Sequence, residues 1–368
     1  MAPVVRALKQ RGEQTETIVC TTGQHRQMLD QITRAFRITT DLDLDVMRPD
    51  QTLAELTAES MRRLDQALVH VRPDAVLVQG DTTTAMVAGL ASFYRRIPVG
   101  HVEAGLRTGD RYRPFPEEIN RRMISTLATW NFVPTVTAAR ALRSEGTEES
   151  SIHLTGNTVI DALLQITTGA GESDADNPEA PAGRRLVLVT AHRRESFGKP
   201  FEDLCRALRD IAERVPDIEI VYPVHLNPHV QEPVHRILDG AARVRLIEPL
   251  DYVAFTRLMK RATLILTDSG GIQEEAPALG IPVLVMRNET ERPEAVEAGV
   301  ARLVGTDTAL IVREACRLLT DEAARLAMCA GGSPFGDGRA AERIVSVLLD
   351  GARYPAEGGL APPAARRS

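Results

Sequence analysis

The segment TLILTDSGGIQEEAPALGIPVLVMRNETERPE, Thr263 to Glu294, decides the fold. It opens on a short apolar run, Leu264 to Leu266, of the length of a buried strand. Asp268-Ser269-Gly270-Gly271 follows, and paired glycines allow backbone angles that other residues resist. Ile272, Ala276 and Leu279 then share one helical face. Gly280 stands where a helix stops, and Ile281-Pro282 leads into a second apolar run, Val283 to Met286. A Ser-Gly-Gly turn between a strand and a helix presents free N–H groups and the positive end of a dipole, which suits phosphate. Glu274 and Glu275, in the first turns, either favour that dipole or hold the hydroxyls of a sugar, with a nucleotide ribose the foremost candidate. Arg292 adds a cation for the same anionic ligand. The segment reads as a nucleotide-binding corner.

Outward from this corner, both halves of the chain repeat one theme. In the first, Met1 to Gly12 reads as an amphipathic helix, Thr17 to Cys20 and Asp41 to Val46 as strands, and Gln27 to Phe36 and Thr52 to His70 as helices. Ala75 to Val78 is a buried strand ending in Gln79-Gly80-Asp81. Ile97 to Gly100 is the next, ending in His101-Val102-Glu103. Glu117 opens a helix after the irregular 110–116 stretch. In the second half, Leu186 to Val189 ends in Ala191-His192-Arg193, and Ile218 to Tyr222 ends near His225. Strands alternating with helices specify parallel sheets covered on both faces. Residues 167–184 are rich in Gly, Ala, Pro, Glu and Asp and mark a linker. The expected division is a first domain over 1–166, the linker, a second over 185–350, and a disordered tail over 351–368.

Bulk properties narrow the function. The 368 residues suffice for two domains, and a net charge of −6 argues against a general nucleic-acid binder. No apolar run is long enough for a bilayer and no signal-peptide pattern opens the chain, so no membrane partner and a cytoplasmic location are expected. The cysteines, 20, 205, 316 and 329, form no CxxC pair.

Ligands of doubly wound sheets bind beyond the carboxyl ends of the strands. Asp81, Glu103 and Glu117 are carboxylates at two strand ends and a helix start. One alone reads as a cap or a loop anchor; three in successive units facing one cleft point to acid–base work. His192, beside Arg193 and Arg194, suits a developing diphosphate charge, although a strand-end histidine is commonly structural. His101 precedes a catalytic-looking segment, with a packing role as the plain alternative. His25, His225 and His229 match no ligand spacing, so no metal is expected. Gly336 to Ala341 fits a loose G-x-G-x-x-A pattern, but no strand precedes it; it reads as a loop capping the last helix, and no cofactor is expected.

These residues resemble a known family. GDTTT at 80–84, GHVEAGLRTGD at 100–110, PEEINR at 116–121, HLTGNTVIDALL at 153–164, HRRESFG at 192–198, VYPVHLNP at 221–228 and TDSGGIQEEAPALG at 267–280 together resemble the non-hydrolysing UDP-N-acetylglucosamine 2-epimerases. The similarity spans nearly all of residues 1–350. It implies two Rossmann-like domains facing a cleft, as in GT-B glycosyltransferases, and reversible conversion of UDP-GlcNAc to UDP-ManNAc by elimination and re-addition of UDP. It implies catalytic roles for Asp81, Glu103, Glu117 and His192, with UDP held by Phe255, Ser269, Gly270, Gly271, Glu275 and Arg292. It further implies an allosteric UDP-GlcNAc at Gln24, His25, Gln27, Arg193 and His225, and a homodimer. Alternatives are a hydrolysing epimerase releasing UDP and ManNAc, a glycosyltransferase needing an acceptor, and an inactive UDP-sugar binder. Family members open with a strand and a GTRPE-like loop, whereas Met1-Ala2-Pro3 falls where the following helix is under way. The reading favours a start assigned too late; a genuine loss would give a destabilised chain of weak activity.

Overall fold

The computed structural model describes residues 1–23, 26–168 and 183–352. The strands are β1 (Cys20–Thr21), β2 (Leu42–Asp43), β3 (Val76–Gln79), β4 (Val99–Val102), β5 (Trp130–Val133), β6 (Ile152–Leu154), β7 (Arg185–Thr190), β8 (Ile218–Pro223), β9 (Val244–Ile247), β10 (Ala262–Thr267), β11 (Val283–Val285) and β12 (Ala301–Leu303). Helices connect them, and every strand pair is parallel.

The second half is built on a six-stranded sheet of order β12-β11-β10-β7-β8-β9. Its central strands are apolar at successive positions because both faces are covered. Leu264 and Leu266 join one buried cluster with Val187, Val189 and Tyr222, while Ile265 joins the opposite one with Leu186 and Leu188. Each such side chain contributes about 1.5–3 kcal/mol on burial. Capping fixes where the covering helices begin. Asp251 accepts from the Ala254 N–H and Asp307 from the Leu310 N–H, both at an N-cap.

The first half has a four-stranded sheet, β3-β4-β5-β6, and a separate pair, β1-β2. The strands expected at 17–20 and 41–46 are shorter than expected, with two residues paired in each. Among the described residues that pair hydrogen-bonds to no third strand, so nothing extends its ladder. Thr52 caps the Leu53–Val71 helix in a reciprocal capping box with Glu55, as the Thr-x-x-Glu spacing demands. Among the described residues, no helix is long and apolar enough to cross a membrane.

Two helices depart from the expected domain limits. The last, Ala340–Ala352, packs on the first half, where Ala341 and Ile344 join Val4, Val102 and Phe132. Asp161 anchors its start, its carboxylate accepting from the N–H groups of Ala340 and Ala341 at 3.1 and 2.8 Å. Conversely, Ile160 and Leu163 of the Thr158–Thr168 helix lie in the core of the second half. Each half thus lends the other a helix across what was expected to be the boundary. Most of the expected linker, 169–182, and residues 353–368 of the expected tail lie outside the described residues. The Gly336–Ala341 stretch leads into the last helix, which begins at Ala340 within it, and its first N–H groups are held by Asp161 and not by the loop.

Candidate active site

The carboxyl ends of the two sheets face each other. On the first half, β3 ends at Gln79, Gly80 turns with φ +71°, and Asp81 follows. The Glu117–Leu127 helix clamps Asp81 from above. Arg121 places Nη2 2.6 Å from Asp81 Oδ2, and Asn120 Nδ2 donates to the Asp81 carbonyl at 2.9 Å. Glu117 stands one turn before Arg121, on the same side of that helix. Its neighbour Glu118 is fully buried. It accepts from the Thr108 N–H at 3.1 Å and the Gly109 N–H at 3.4 Å, and pairs with Arg121 and Arg122. One helix therefore positions a candidate acid, the partner of a second, and the loop behind a third.

That third is Glu103, directly after β4. Its φ is +66°, a left-handed conformation that costs a non-glycine residue roughly 1–3 kcal/mol. Strain of this kind persists where surrounding structure imposes it. Here the Ala104 N–H donates to Phe132 O at 3.0 Å, and Gly105 lies so close to the Ala138 carbonyl that a Cβ would meet its oxygen at 2.5 Å. Gln79 Nε2 donates to Glu103 Oε2 at 3.4 Å. Burial, reinforced by the charge of Glu274, pushes the Glu103 carboxyl up to about 7, against the pull of Arg292 and Gln79. His101, by contrast, is a packing residue. Its ring is buried between Gly80 O and Ser125 Oγ, and burial pushes it down to about 4.

On the second half, β7 and β10 run side by side and deliver His192 and Asp268 to one edge. Asp268 Oδ2 accepts from the N–H groups of His192 and Arg193 at 2.7 and 2.8 Å. The His192 ring stacks on His225 with centroids 5.3 Å apart and planes 11° apart. Burial holds its pKa below the ordinary histidine value, with His225 and Arg193 acting in the same direction and Asp268 against it.

Ser269 is the N-cap of the Gly270–Ala278 helix, and among the described residues its side chain makes no capping bond. The expected glycine turn is corrected here: Gly270 and Gly271 are the first helical residues, and neither has a positive φ. What their missing side chains supply is space. A Cβ at Gly270 would stand 3.9 Å from Arg193 Nη2 and 4.0 Å from Arg292 Cζ, so two guanidinium groups flank the open helix end. Glu274 is buried between Arg292 Nε and Asn157 Nδ2, the latter at 2.6 Å from the other half. Glu275 accepts from the Tyr252 hydroxyl at 2.7 Å, and burial pushes its carboxyl up to about 7.

A cavity of about 190 Å³ opens here, lined by the polar His192, His225 and Ser269 and the apolar Leu250, Phe255 and Ile272 among others. A larger depression of about 460 Å³, lined by Arg184, Glu219 and Arg243, lies at the β9 edge away from every candidate residue. Among the described residues no three His, Cys, Asp or Glu side chains gather as metal ligands.

The structure thus gathers Glu103, Glu274 and Arg292 in one field and sets Asp81 beside Glu103. His192, Arg193, His225, Phe255, Ser269, Gly270 and Glu275 surround the facing corner. Gln24, His25 and the side chain of Gln27 lie outside the described residues. Sequence reasoning passed over Asp268, Glu118, Arg121, Asn157 and Tyr252. The i, i+3 and i, i+4 spacing of Glu118 with Arg121 and Arg122 was a readable signal for two of them. Nothing local marks Tyr252, whose partner is 23 residues away.

The chain is similar to known proteins along nearly its whole length. The family model described as UDP-N-acetylglucosamine 2-epimerase matches residues 6–349. The Escherichia coli K12 protein of that name is 54% identical over 355 residues, covering 95% of this chain and 94% of its own. The crystal structure of UDP-GlcNAc 2-epimerase from Neisseria meningitidis bound to UDP-GlcNAc superposes with a TM-score of 0.85 at 44% identity, covering 95% of this chain and 96% of that one. The glycosyltransferase SnogD from Streptomyces nogalater shares the fold alone, with a TM-score of 0.61 at 19% identity over 94% of each chain.

Proposed function

The chain belongs to the UDP-N-acetylglucosamine 2-epimerase family, and from that premise we propose that it interconverts UDP-GlcNAc and UDP-ManNAc without hydrolysis, by eliminating UDP and adding it back. Carbon 2 of the sugar has no adjacent carbonyl, so its proton is not acidic by itself. Loss of that proton becomes feasible when the C1–O bond to UDP breaks in the same act. The C2–H electron pair becomes the C1=C2 bond of a glycal, and the C1–O pair leaves on the diphosphate. Protonation of C2 on its other face, with return of the diphosphate oxygen to C1, completes the inversion.

The observation that carries this reading is electrostatic. The Glu103 carboxyl of one half lies within the field of Glu274 and Arg292 of the other. Proton-handling groups and diphosphate-holding groups therefore share one space. Asp81, ion-paired with Arg121, suits the role of proton acceptor; Glu103, held protonated near neutrality, suits the donor; Glu117 shares this work. The Gly270–Ala278 helix end with Ser269, Gly270, Gly271, Arg193 and Arg292 takes the diphosphate, and Glu275 takes the ribose. Phe255 lines the slot for uracil, and His192 assists departure of UDP. We infer a second UDP-GlcNAc against His225, which lines that cavity, and Arg193, whose guanidinium stands beside Gly270.

Further parts of the reading rest on separate observations. A homodimer is supported by Val69, Phe93 and Tyr94, which stay 49%, 54% and 67% exposed near the ends of two neighbouring helices. A cytoplasmic location suits the four unpaired cysteines. Two domains meeting near residue 175 remain our division of the chain, with the first and last boundary helices exchanged.

The test is proton NMR with UDP-GlcNAc in deuterated buffer and no added NAD. Deuterium at C2 and a growing UDP-ManNAc signal are expected. Free ManNAc with UDP instead would establish the hydrolysing alternative, and binding of UDP without exchange would establish an inactive binder.

A further inference from the structure

We propose that Asp268 is a positioning residue for His192, the two forming a dyad in which Asp268 Oδ1 receives Nδ1–H and leaves Nε2 facing the diphosphate. The inference rests on the reading of His192 as the group that assists UDP departure.

Asp268 is 1% exposed, which for a carboxylate demands partners. Oδ2 has two, the backbone N–H groups of His192 and Arg193. These fix the carboxylate plane and the backbone that carries the imidazole. Oδ1 is buried and, among the described residues, lacks a hydrogen bond. The nearest cation-forming atom is His192 Nδ1, 3.5 Å away, a separation that shortens into a hydrogen bond when a ligand draws the ring in. The ring's other constraints leave it little choice. His225 stacks on one face, and the side chain stays 39% exposed toward the cavity. A purely structural carboxylate needs only the two N–H contacts; the free, buried Oδ1 beside Nδ1 is what such a role leaves unexplained.

The consequence is a choice of tautomer. A neutral imidazole carries one N–H, and the acceptor beside Nδ1 places it there. Nε2 is then the basic atom in the cavity. On protonation the imidazolium gains the Asp268 charge, while the charged or titratable groups facing it besides Asp268 are His225 and Arg193, which oppose the cation. The departure step runs from that imidazolium, which has taken a solvent proton at Nε2: as the C1–O bond breaks, Nε2–H donates to the leaving diphosphate oxygen. On the return, the same proton is withdrawn as the oxygen attacks C1.

Three measurements test this. The nitrogen-15 spectrum of His192 in the native protein, above its titration, needs no mutation; Nδ1–H is expected, and Nε2–H would overturn the dyad. Asp268→Asn keeps an oxygen for the backbone N–H groups but removes the charge. His192 should then titrate about tenfold less readily, and kcat should fall by about 10–100-fold with KM within about twofold. An unmoved His192 titration would show that Asp268 only ties the backbone. Finally, Asp268→Asn in a His192→Asn background should cost less than about twofold more; an undiminished loss would also refute the coupling. If His192→Asn alone leaves turnover intact, the role of His192 in UDP departure fails, while the tautomer and titration readouts still judge the dyad.

Discussion

Glu103 offers a prediction whose size follows from its surroundings. Its carboxyl is held at about 7 in the fold, against an ordinary 4.5. A group whose folded pKa is raised adds stability below its unfolded value and loses it as pH rises through the folded one. The native protein should therefore weaken between pH 4.5 and 7 on account of this residue. At 1.36 kcal/mol per pKa unit, the full loss is about 3 kcal/mol, of which about 2 kcal/mol falls between roughly pH 5.5 and 8.5. Glu103→Gln has the same shape and does not titrate. Its stability relative to the native protein should rise by that amount between the two pH values. Glu275, also pushed up to about 7, is present in both proteins and cancels. Urea denaturation of the pair at both pH values measures the difference. Parallel behaviour would refute the reasoning, because it would mean that Glu103 ionises as freely in the fold as in the open chain.

Three further outcomes are expected. Arg121→Met strips Asp81 of its guanidinium and leaves Glu118 buried with one partner fewer; we expect about 2 kcal/mol lost in thermal melts, with turnover falling further than stability explains. Tyr252→Phe removes the donor to Glu275 Oε1, so UDP affinity by calorimetry should drop about tenfold while saturated turnover holds. Gly105→Ala and Gly271→Ala should part company. The first forces a side chain into φ +85° and against Ala138 O, lowering the melting temperature by several degrees. At Gly271 the nearest atom to a new Cβ is Ser269 Oγ at 4.0 Å, so stability should hold or rise slightly while UDP binding weakens.

Much of this was legible in the sequence because the signals are local. The run Leu264 to Leu266 is apolar at every position, which only a strand buried on both faces requires, and its side chains do divide between two cores. Strand ends are where doubly wound sheets bind ligands, so Asp81, Glu103 and His192 could be singled out before any contact was known. Gly270 shows the limit. A glycine pair can mean an unusual dihedral or a need for space, and the letters are the same for both. Only the positions of Arg193 and Arg292, far away in sequence, show that space was the reason. Partnerships at long separation, such as Asp161 with Ala341 or Asn157 with Glu274, leave no trace in composition or period. The last helix reads as amphipathic either way, so its sequence could not say which half it covers.

Those long-range ties explain how the two halves hold a common site. Glu274 is a buried carboxylate that belongs to the nucleotide-binding helix, yet one of its partners, Asn157, comes from the other half. Breaking that bond would leave a buried charge with Arg292 as its remaining partner, at a cost of about 1–3 kcal/mol. Thr135 donates to Glu294 at 2.8 Å in the same sense. Outside the site, the exchanged helices bury Ile160 and Leu163 in one core and Ile344 in the other, so separation of the halves would expose apolar surface on both sides. The apposition of Glu103 with Glu274 and Arg292 is therefore set by packed side chains and buried polar pairs. The site's chemistry follows from this, because burial and the neighbouring Glu274 charge together raise the Glu103 carboxyl, against the pull of Arg292.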